Sequence, residues 1–191
     1  LPMMRRIVLT TIISSSLGFH SFDNPADNYT YRQLDGHTAL ISRSASMLAA
    51  KGILLVNSAG NDGMASWKKI NVPADADNII TVGAVTPDRR NASFSSIGPT
   101  ADGRVKPDVM AQGSPTAVIT GRGTIIKDVG TSFSTPLVAG LAACLWQALP
   151  GKTASDMVRL IRKCADNTAA PDNIYGYGIP DFWKAYEMGK E

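Results

Sequence analysis

Gly130-Thr131-Ser132-Phe133-Ser134-Thr135-Pro136 runs directly into Leu137, Val138, Leu141, Ala142 and Leu145, an apolar pattern with the spacing of one helix face. A glycine turn followed by a helix start sets Ser132 among free backbone N–H groups at the positive end of the helix dipole, where arriving negative charge is favoured. Ser132 is therefore a candidate nucleophile. Such a serine needs a base to take its proton, a group to orient that base, and a donor to hold the developing oxyanion. The chain offers only two histidines, His20 and His37, and neither lies in a recognisable base setting.

Outward from the serine turn, short apolar runs alternate with helical patterns. Ile7 to Ser16 reads as a strand, Thr38 to Lys51 as an amphipathic helix stopped by Gly52, and Ile53 to Ala59 as a buried strand ending in Gly60-Asn61. Ile79 to Val85 gives a third strand, and the stretch through Pro99, Gly103, Pro107 and Gly113 holds one or two short ones. Helices follow at Ser132 to Leu149, Thr153 to Ala165 and Pro180 to Met188. Strands separated by helices imply an α/β fold, three layers deep, with a parallel sheet covered by helices on both faces. The working residues of such sheets gather at the carboxyl ends of the strands. Ser16-Leu17-Gly18 and Ala59-Gly60-Asn61 both fall there. Asparagine at a strand end is commonly a turn former, but its amide can also donate to an oxyanion.

Composition narrows the function classes. At 191 residues and 44% hydrophobic the chain can build one cored domain, and its net charge of +3 comes from nineteen scattered Lys and Arg. A nucleic-acid surface would cluster them, so nucleic acid is not an expected partner. No apolar run approaches the ~20 residues of a membrane span. Cys144 and Cys164 lack metal-ligand spacing and are expected to be free core thiols. Residues 4–16 resemble a secretory signal as well as a buried strand, since Arg5-Arg6 precede the run Ile7 to Ile13 and the serines 14–16.

Several motifs imitate other chemistry. Gly151-Lys152-Thr153 would need a glycine at Trp146 to be a phosphate loop and is expected to start a helix; Gly121-Arg122-Gly123 has Ile126 where a dinucleotide fingerprint needs its third glycine and reads as a hairpin turn. Ser134 occupies the second glycine position of a hydrolase elbow, which excludes that reading of Ser132. Asp75, Asp77 and Asp88 lack a cation-coordinating pattern and are expected to be solvated loop residues.

Taken together, Gly130-Thr131-Ser132 with Ser134, Pro136 and Val138-Ala139-Gly140 resembles the serine motif of the subtilisin-like serine proteases, the subtilases. Three further blocks resemble the same family in the same order: Ser16-Leu17-Gly18; Ala59-Gly60-Asn61 with Gly63; and Phe94-Ser95-Ser96 with Gly98-Pro99, Asp102-Gly103-Arg104, Lys106-Pro107-Asp108, Ala111 and Gly113. Gly176-Tyr177-Gly178-Ile179 resembles its closing motif. The resemblance implies a serine endopeptidase acting on peptide or protein substrates by acyl transfer. It assigns Ser132 as nucleophile and the Asn61 side chain as oxyanion donor. Ser16, Leu17 and Gly18 become the edge that pairs with a substrate backbone, Ala59 and Gly60 the lining of the pocket for the side chain before the scissile bond, and Thr131 the support of the serine turn. No cofactor is implied; calcium is allowed by the family.

Leu137 stands where the motif commonly has histidine, and Gln112 where it commonly has proline. More consequential, the family's D-[ST]-G and H-G-T motifs, which precede Ser-Leu-Gly, are not in this sequence. His37, in Asp35-Gly36-His37-Thr38, lacks the intervening glycine and falls on the wrong side of Ser-Leu-Gly, so it reads as a solvated residue at a helix start; His20 reads likewise as a loop residue. The expectation is that residues 1–191 are the C-terminal part of a longer catalytic domain, secreted or exported as the family commonly is. On that expectation the chain alone is inactive, and self-association through the first strand's edge is a corollary. The other class left open is a non-catalytic peptide-binding or assembly module.

Overall fold

A computed structural model describes residues 11–190; the expected strand from Ile7 lies in part outside them. Four strands form a parallel sheet in sequence order, β1 (Ile12–Ser15), β2 (Leu54–Ser58), β3 (Ile80–Val85) and β4 (Val109–Gln112). Alternation along the strands divides the core in two, since successive side chains point to opposite faces. Leu54, Val56, Ile80, Val82 and Val109 pack against α2 (Thr131–Ala148) and α3 (Ala154–Lys163), with Ala185 of α4 (Phe182–Lys190). Leu55 and Ile13 face the other way, onto Ala45 and Ala49 of α1 (Leu40–Ala50). The architecture is thus three-layered, α/β/α, around a parallel sheet.

Local chemistry explains the boundaries. α1 ends where Gly52 takes φ 83°, a left-handed turn that glycine enters without strain. α3 begins with a reciprocal cap: the Thr153 hydroxyl accepts from Asp156 N–H while the Asp156 carboxylate accepts from Thr153 N–H. Gly121-Arg122-Gly123 turns an antiparallel hairpin, β5 (Thr116–Ile119) with β6 (Ile125–Asp128), closed by Thr120 N–H donating to Thr124 O at 2.9 Å. This hairpin connects β4 to the serine turn.

A buried ionic cluster locks β3 to the segment entering β4. Lys106 is 1% exposed, and its Nζ donates to Asp108 Oδ2 at 2.8 Å and Thr81 Oγ1 at 2.9 Å. Asp108 also accepts from Thr81 N–H and pairs with Arg162 of α3 at 2.6 Å. Burial opposes the Asp108 charge, but Lys106 and Arg162 outweigh it and hold the carboxyl below its ordinary range; burial likewise lowers Lys106 despite the attraction of Asp108.

Three expectations need correction. Asp75 is fully buried rather than solvated, accepting from Ser42 Oγ at 2.6 Å and Gly36 N–H at 2.8 Å, and burial pushes its carboxyl up. Cys144 is exposed, because it lies on the α2 face turned away from the sheet; only Cys164 is a buried thiol. His20 is not a solvated loop residue: its ring stacks on Trp67 with centroids 4.5 Å apart and Nδ1 meets Asn71 Oδ1 at 2.9 Å.

Candidate active site

The serine turn sits at the carboxyl ends of β1, β2 and β4, where the topology gathers three separate segments. Gly130 makes the turn possible. Its φ of 156° with ψ 148° is a region that side-chain-bearing residues rarely enter, and its N–H donates to Gly113 O at 2.8 Å. Gly113 lies so close beneath the turn that a Cβ there would sit 2.3 Å from Ser134 Oγ and 2.8 Å from Gly130 O. Glycine at 113 thus lets α2 begin directly on the sheet.

Asn61 and Thr131 join the end of β2 to the first turn of α2. Asn61 Oδ1 accepts from Thr131 N–H at 3.0 Å and from Thr131 Oγ1 at 2.9 Å. Those two donors require an oxygen at that position, so the amide orientation is determined and Nδ2 is the group left over. Nδ2 lies beside the turn, 3.7 Å from where a Gly130 Cβ would stand. The side chain is thereby held as a donor with unspent capacity next to Ser132. Thr131 itself is fully buried.

Pro136 creates a second connection. In a regular helix the Ser132 carbonyl would accept from the N–H of residue 136, which proline lacks. Ser16 Oγ donates to that carbonyl instead, at 3.1 Å. The hydroxyl at the end of β1 thus fixes the Ser-Leu-Gly segment against the serine turn. Ser16, Leu17 and Gly18 are all exposed; Leu17 O accepts from Asn57 Nδ2 at 3.2 Å, and among the described residues the main-chain groups of Ser16 and Gly18 make no hydrogen bond. An extended peptide could pair there as an added strand.

The remaining sequence-derived positions divide. Gly60 is buried beside the serine turn with φ 112°, its carbonyl accepting from Thr131 Oγ1 at 3.3 Å, while Ala59 lies behind it. Ala59 is fully buried among Leu34, Ile70 and Val72, its N–H donates to Val82 O and its C=O accepts from Asn71 N–H. It can act on a substrate only through the backbone of Gly60. Ser132 is half-buried and, among the described residues, its Oγ makes no hydrogen bond. Both histidines are committed elsewhere, His20 to Asn71 and Trp67, and His37 to Asp77 at 3.4 Å.

Asn71, Asp62 and His20 form a polar chain that the sequence reading missed; only the nearness of Asp62 to Asn61 hinted at it. The carboxylates weighed for calcium do not fit a metal: Asp75 is saturated by Ser42 and Gly36, Asp77 pairs with Arg104 at 2.7 Å, and no cluster of three potential ligands occurs among the described residues. Nor does any helix among them have the length and apolarity to cross a membrane.

A parallel α/β/α sheet with a serine at a glycine-turned helix start, an asparagine amide beside it and an open strand edge defines a hydrolase-like site of the serine class. The chain belongs to the subtilase family, whose model matches residues 9–178. It is 32% identical over 189 residues to serine protease AprX of Bacillus subtilis (strain 168), covering 87% of this chain and 40% of that protein. To subtilisin DY of Bacillus licheniformis it is 35% identical over 145 residues, 75% of this chain and 50% of that one. The chain therefore spans half the length or less of these relatives. Among solved structures it resembles the prenylagaramide maturation protease PagA (TM-score 0.70, 24% identity, 94% of this chain and 61% of that one) and the self-cleaved protease domain of PatA (TM-score 0.69, 24% identity, 94% and 62%). At that identity the likeness concerns the fold.

Proposed function

We propose that this chain is the serine-bearing part of a subtilase catalytic domain that hydrolyses peptide bonds by acyl transfer. Ser132 Oγ is the nucleophile. Asn61 Nδ2 and the Ser132 N–H receive the oxyanion, and Ser16 to Gly18 form the edge on which the substrate backbone lies. The observation that carries this reading is the double acceptance at Asn61 Oδ1, which fixes the amide with its N–H groups spare beside the serine turn. A donor already in place costs no reorganisation when negative charge develops.

Among the described residues no base contacts Ser132, and an unassisted hydroxyl is a poor nucleophile. The chain by itself is therefore inactive in this proposal; the aspartate and histidine that complete the triad are supplied by a segment carrying D-[ST]-G and H-G-T motifs, in a protein that is secreted or exported. Fusing residues 1–191 behind such a segment from a related subtilase and following cleavage of a fluorogenic peptide tests the assignment. Activity that disappears with Ser132→Ala is the expected result, and activity indifferent to that substitution sinks it.

A second reading is a peptide-binding or assembly module with no chemistry. Exposed Leu137 and Leu141 on α2 favour it, since apolar side chains on one helix face are suited to self-association. A fusion that folds and binds peptide but cleaves nothing would select it.

A further inference from the structure

We infer that the cleft between Gly18 and Gly60 selects a peptide with lysine or arginine before the scissile bond and disfavours bulky aromatic side chains; this rests on the substrate-edge reading above. Gly18 and Gly60 stand at the ends of β1 and β2, and the side chain of Asn71 enters between them. A Cβ at Gly60 would stand 2.8 Å from Asn71 Nδ2, and one at Gly18 3.2 Å from Asn71 Cβ. The two missing side chains thus make room for Asn71, which is 7% exposed and closes the floor. A flat ring needs the depth between two backbone segments that Asn71 occupies. A slender chain needs only a path along it.

Next to Asn71 lies a carboxylate. Asn71 Nδ2 donates to Asp62 Oδ2 at 2.6 Å, and Asn71 Oδ1 is met by His20 Nδ1 at 2.9 Å. Because the amide nitrogen is spent on Asp62, Asn71 Oδ1 is an acceptor and His20 Nδ1–H the donor, in a ring held flat on Trp67. The order His20, Asn71, Asp62 therefore orients the carboxylate. Its main chain is fixed as well, with Asp62 N–H donating to Ser96 Oγ at 3.0 Å and Ser96 N–H donating to Gly60 O at 3.0 Å.

Asp62 is half-buried and one residue from Asn61. Among the described residues its Oδ1 makes no hydrogen bond and no cation lies within ion-pair distance of it. A positioned, uncompensated carboxylate one residue from the oxyanion donor is a receptor for a cationic side chain, and hydrogen bonds between charged groups are the stronger ones.

Three acetylated tetrapeptides identical except for a C-terminal Lys, Ala or Phe, titrated into the 15N-labelled chain, test this without requiring catalysis. The lysine peptide is expected to bind about tenfold more tightly than the phenylalanine peptide, shifting the amides of Gly18 and Gly60. Asp62→Asn, which keeps the shape, is expected to bring the lysine-to-alanine affinity ratio towards one, and Asn71→Gly to raise phenylalanine binding. Thermal melts of both variants establish that they are folded. Tighter phenylalanine than lysine binding to the unmodified chain, or a lysine preference that survives Asp62→Asn, overturns the inference while leaving the cleft in place. Peptides that bind without perturbing Gly18 and Gly60, or fail to bind, overturn the substrate-edge reading and this inference with it.

Discussion

The serine turn and the Lys106–Asp108 cluster are both motif-rich, and they use polar groups in opposite ways. In the cluster, Lys106 and Asp108 are buried and spend their charge on each other, on Thr81 and on Arg162. At the turn, among the described residues, the side chain of Asn61 spends only its oxygen and Ser132 accepts only at its carbonyl, leaving an amide N–H pair and a hydroxyl unused at a half-exposed surface. Satisfied groups in a dry interior fix geometry; unsatisfied groups at a fixed surface can do chemistry. The first region supports the second by tying β4, at whose end the serine turn stands, to β3 and α3.

Substitution should separate the two. Asp108→Asn leaves Lys106 buried without a counter-charge and is expected to cost about 3–5 kcal/mol in chemical denaturation. Ser132→Ala, by contrast, should shift the denaturation midpoint little while abolishing turnover in the fused protein. If Asp108→Asn proved as mild as Ser132→Ala, the contrast would collapse. Asn61→Ala is expected to lower turnover in the fusion by about 10²–10³, a magnitude carried over from removal of one oxyanion donor in another subtilase. It should also loosen Thr131, which loses the acceptor for its N–H and hydroxyl.

Ser16→Ala probes the link between strand edge and nucleophile. Removing the hydroxyl leaves the Ser132 carbonyl without the partner that Pro136 denied it, at a cost of about 0.5–1.5 kcal/mol at this exposed position. A Ser16→Ala, Pro136→Ala double variant restores an N–H at position 136 and should recover part of that loss; no recovery would show that the bond does not substitute for the helix bond.

A further effect, confined to alkaline solution, is a pH dependence. Burial pushes the Cys164 thiol up from 9.0 to about 11, so the folded state retains a proton that the unfolded state releases. The sign follows: stability from this group is complete below pH 9 and declines as pH rises from 9 to 11, by at most about 3 kcal/mol. Cys164→Ala should flatten the decline, and alkylating reagent should modify exposed Cys144 well before Cys164.

Periodicity made most of the fold legible. The helix read at Thr38 to Lys51 is observed as Leu40–Ala50, and the strand read at Ile79 to Val85 as Ile80–Val85, because uninterrupted apolar faces bounded by glycine or capping residues leave little choice. The candidate site was legible as a set of positions, of which the fold brings Ser16, Asn61, Thr131 and Ser132 together. Its connections were not, since they join residues far apart in sequence: Ser16 to Ser132 spans 116 residues and Asn61 to Thr131 spans 70. One had a local signal, as Pro136 stands four residues after Ser132 and announces a carbonyl in need of a donor. Asn71 and His20 gave none, because an asparagine before Val72-Pro73 looks like a turn residue until Gly18 and Gly60 are seen to make room for it. Cys144 misled for a related reason: α2 is apolar nearly all round, so its pattern does not tell the face packed on the sheet from the face turned outward.

The central claim is that the serine turn holds a nucleophile and its oxyanion donor ready, and that reactivity waits on a base from outside these residues. Mass spectrometry after incubation with a fluorophosphonate tests it most directly, comparing residues 1–191 alone with the same residues fused behind a segment bearing the aspartate and histidine motifs. The account predicts a single adduct on Ser132 in the fusion and little or none on the chain alone. Equal labelling of Ser132 in both, or an adduct on another residue in the fusion, would contradict it.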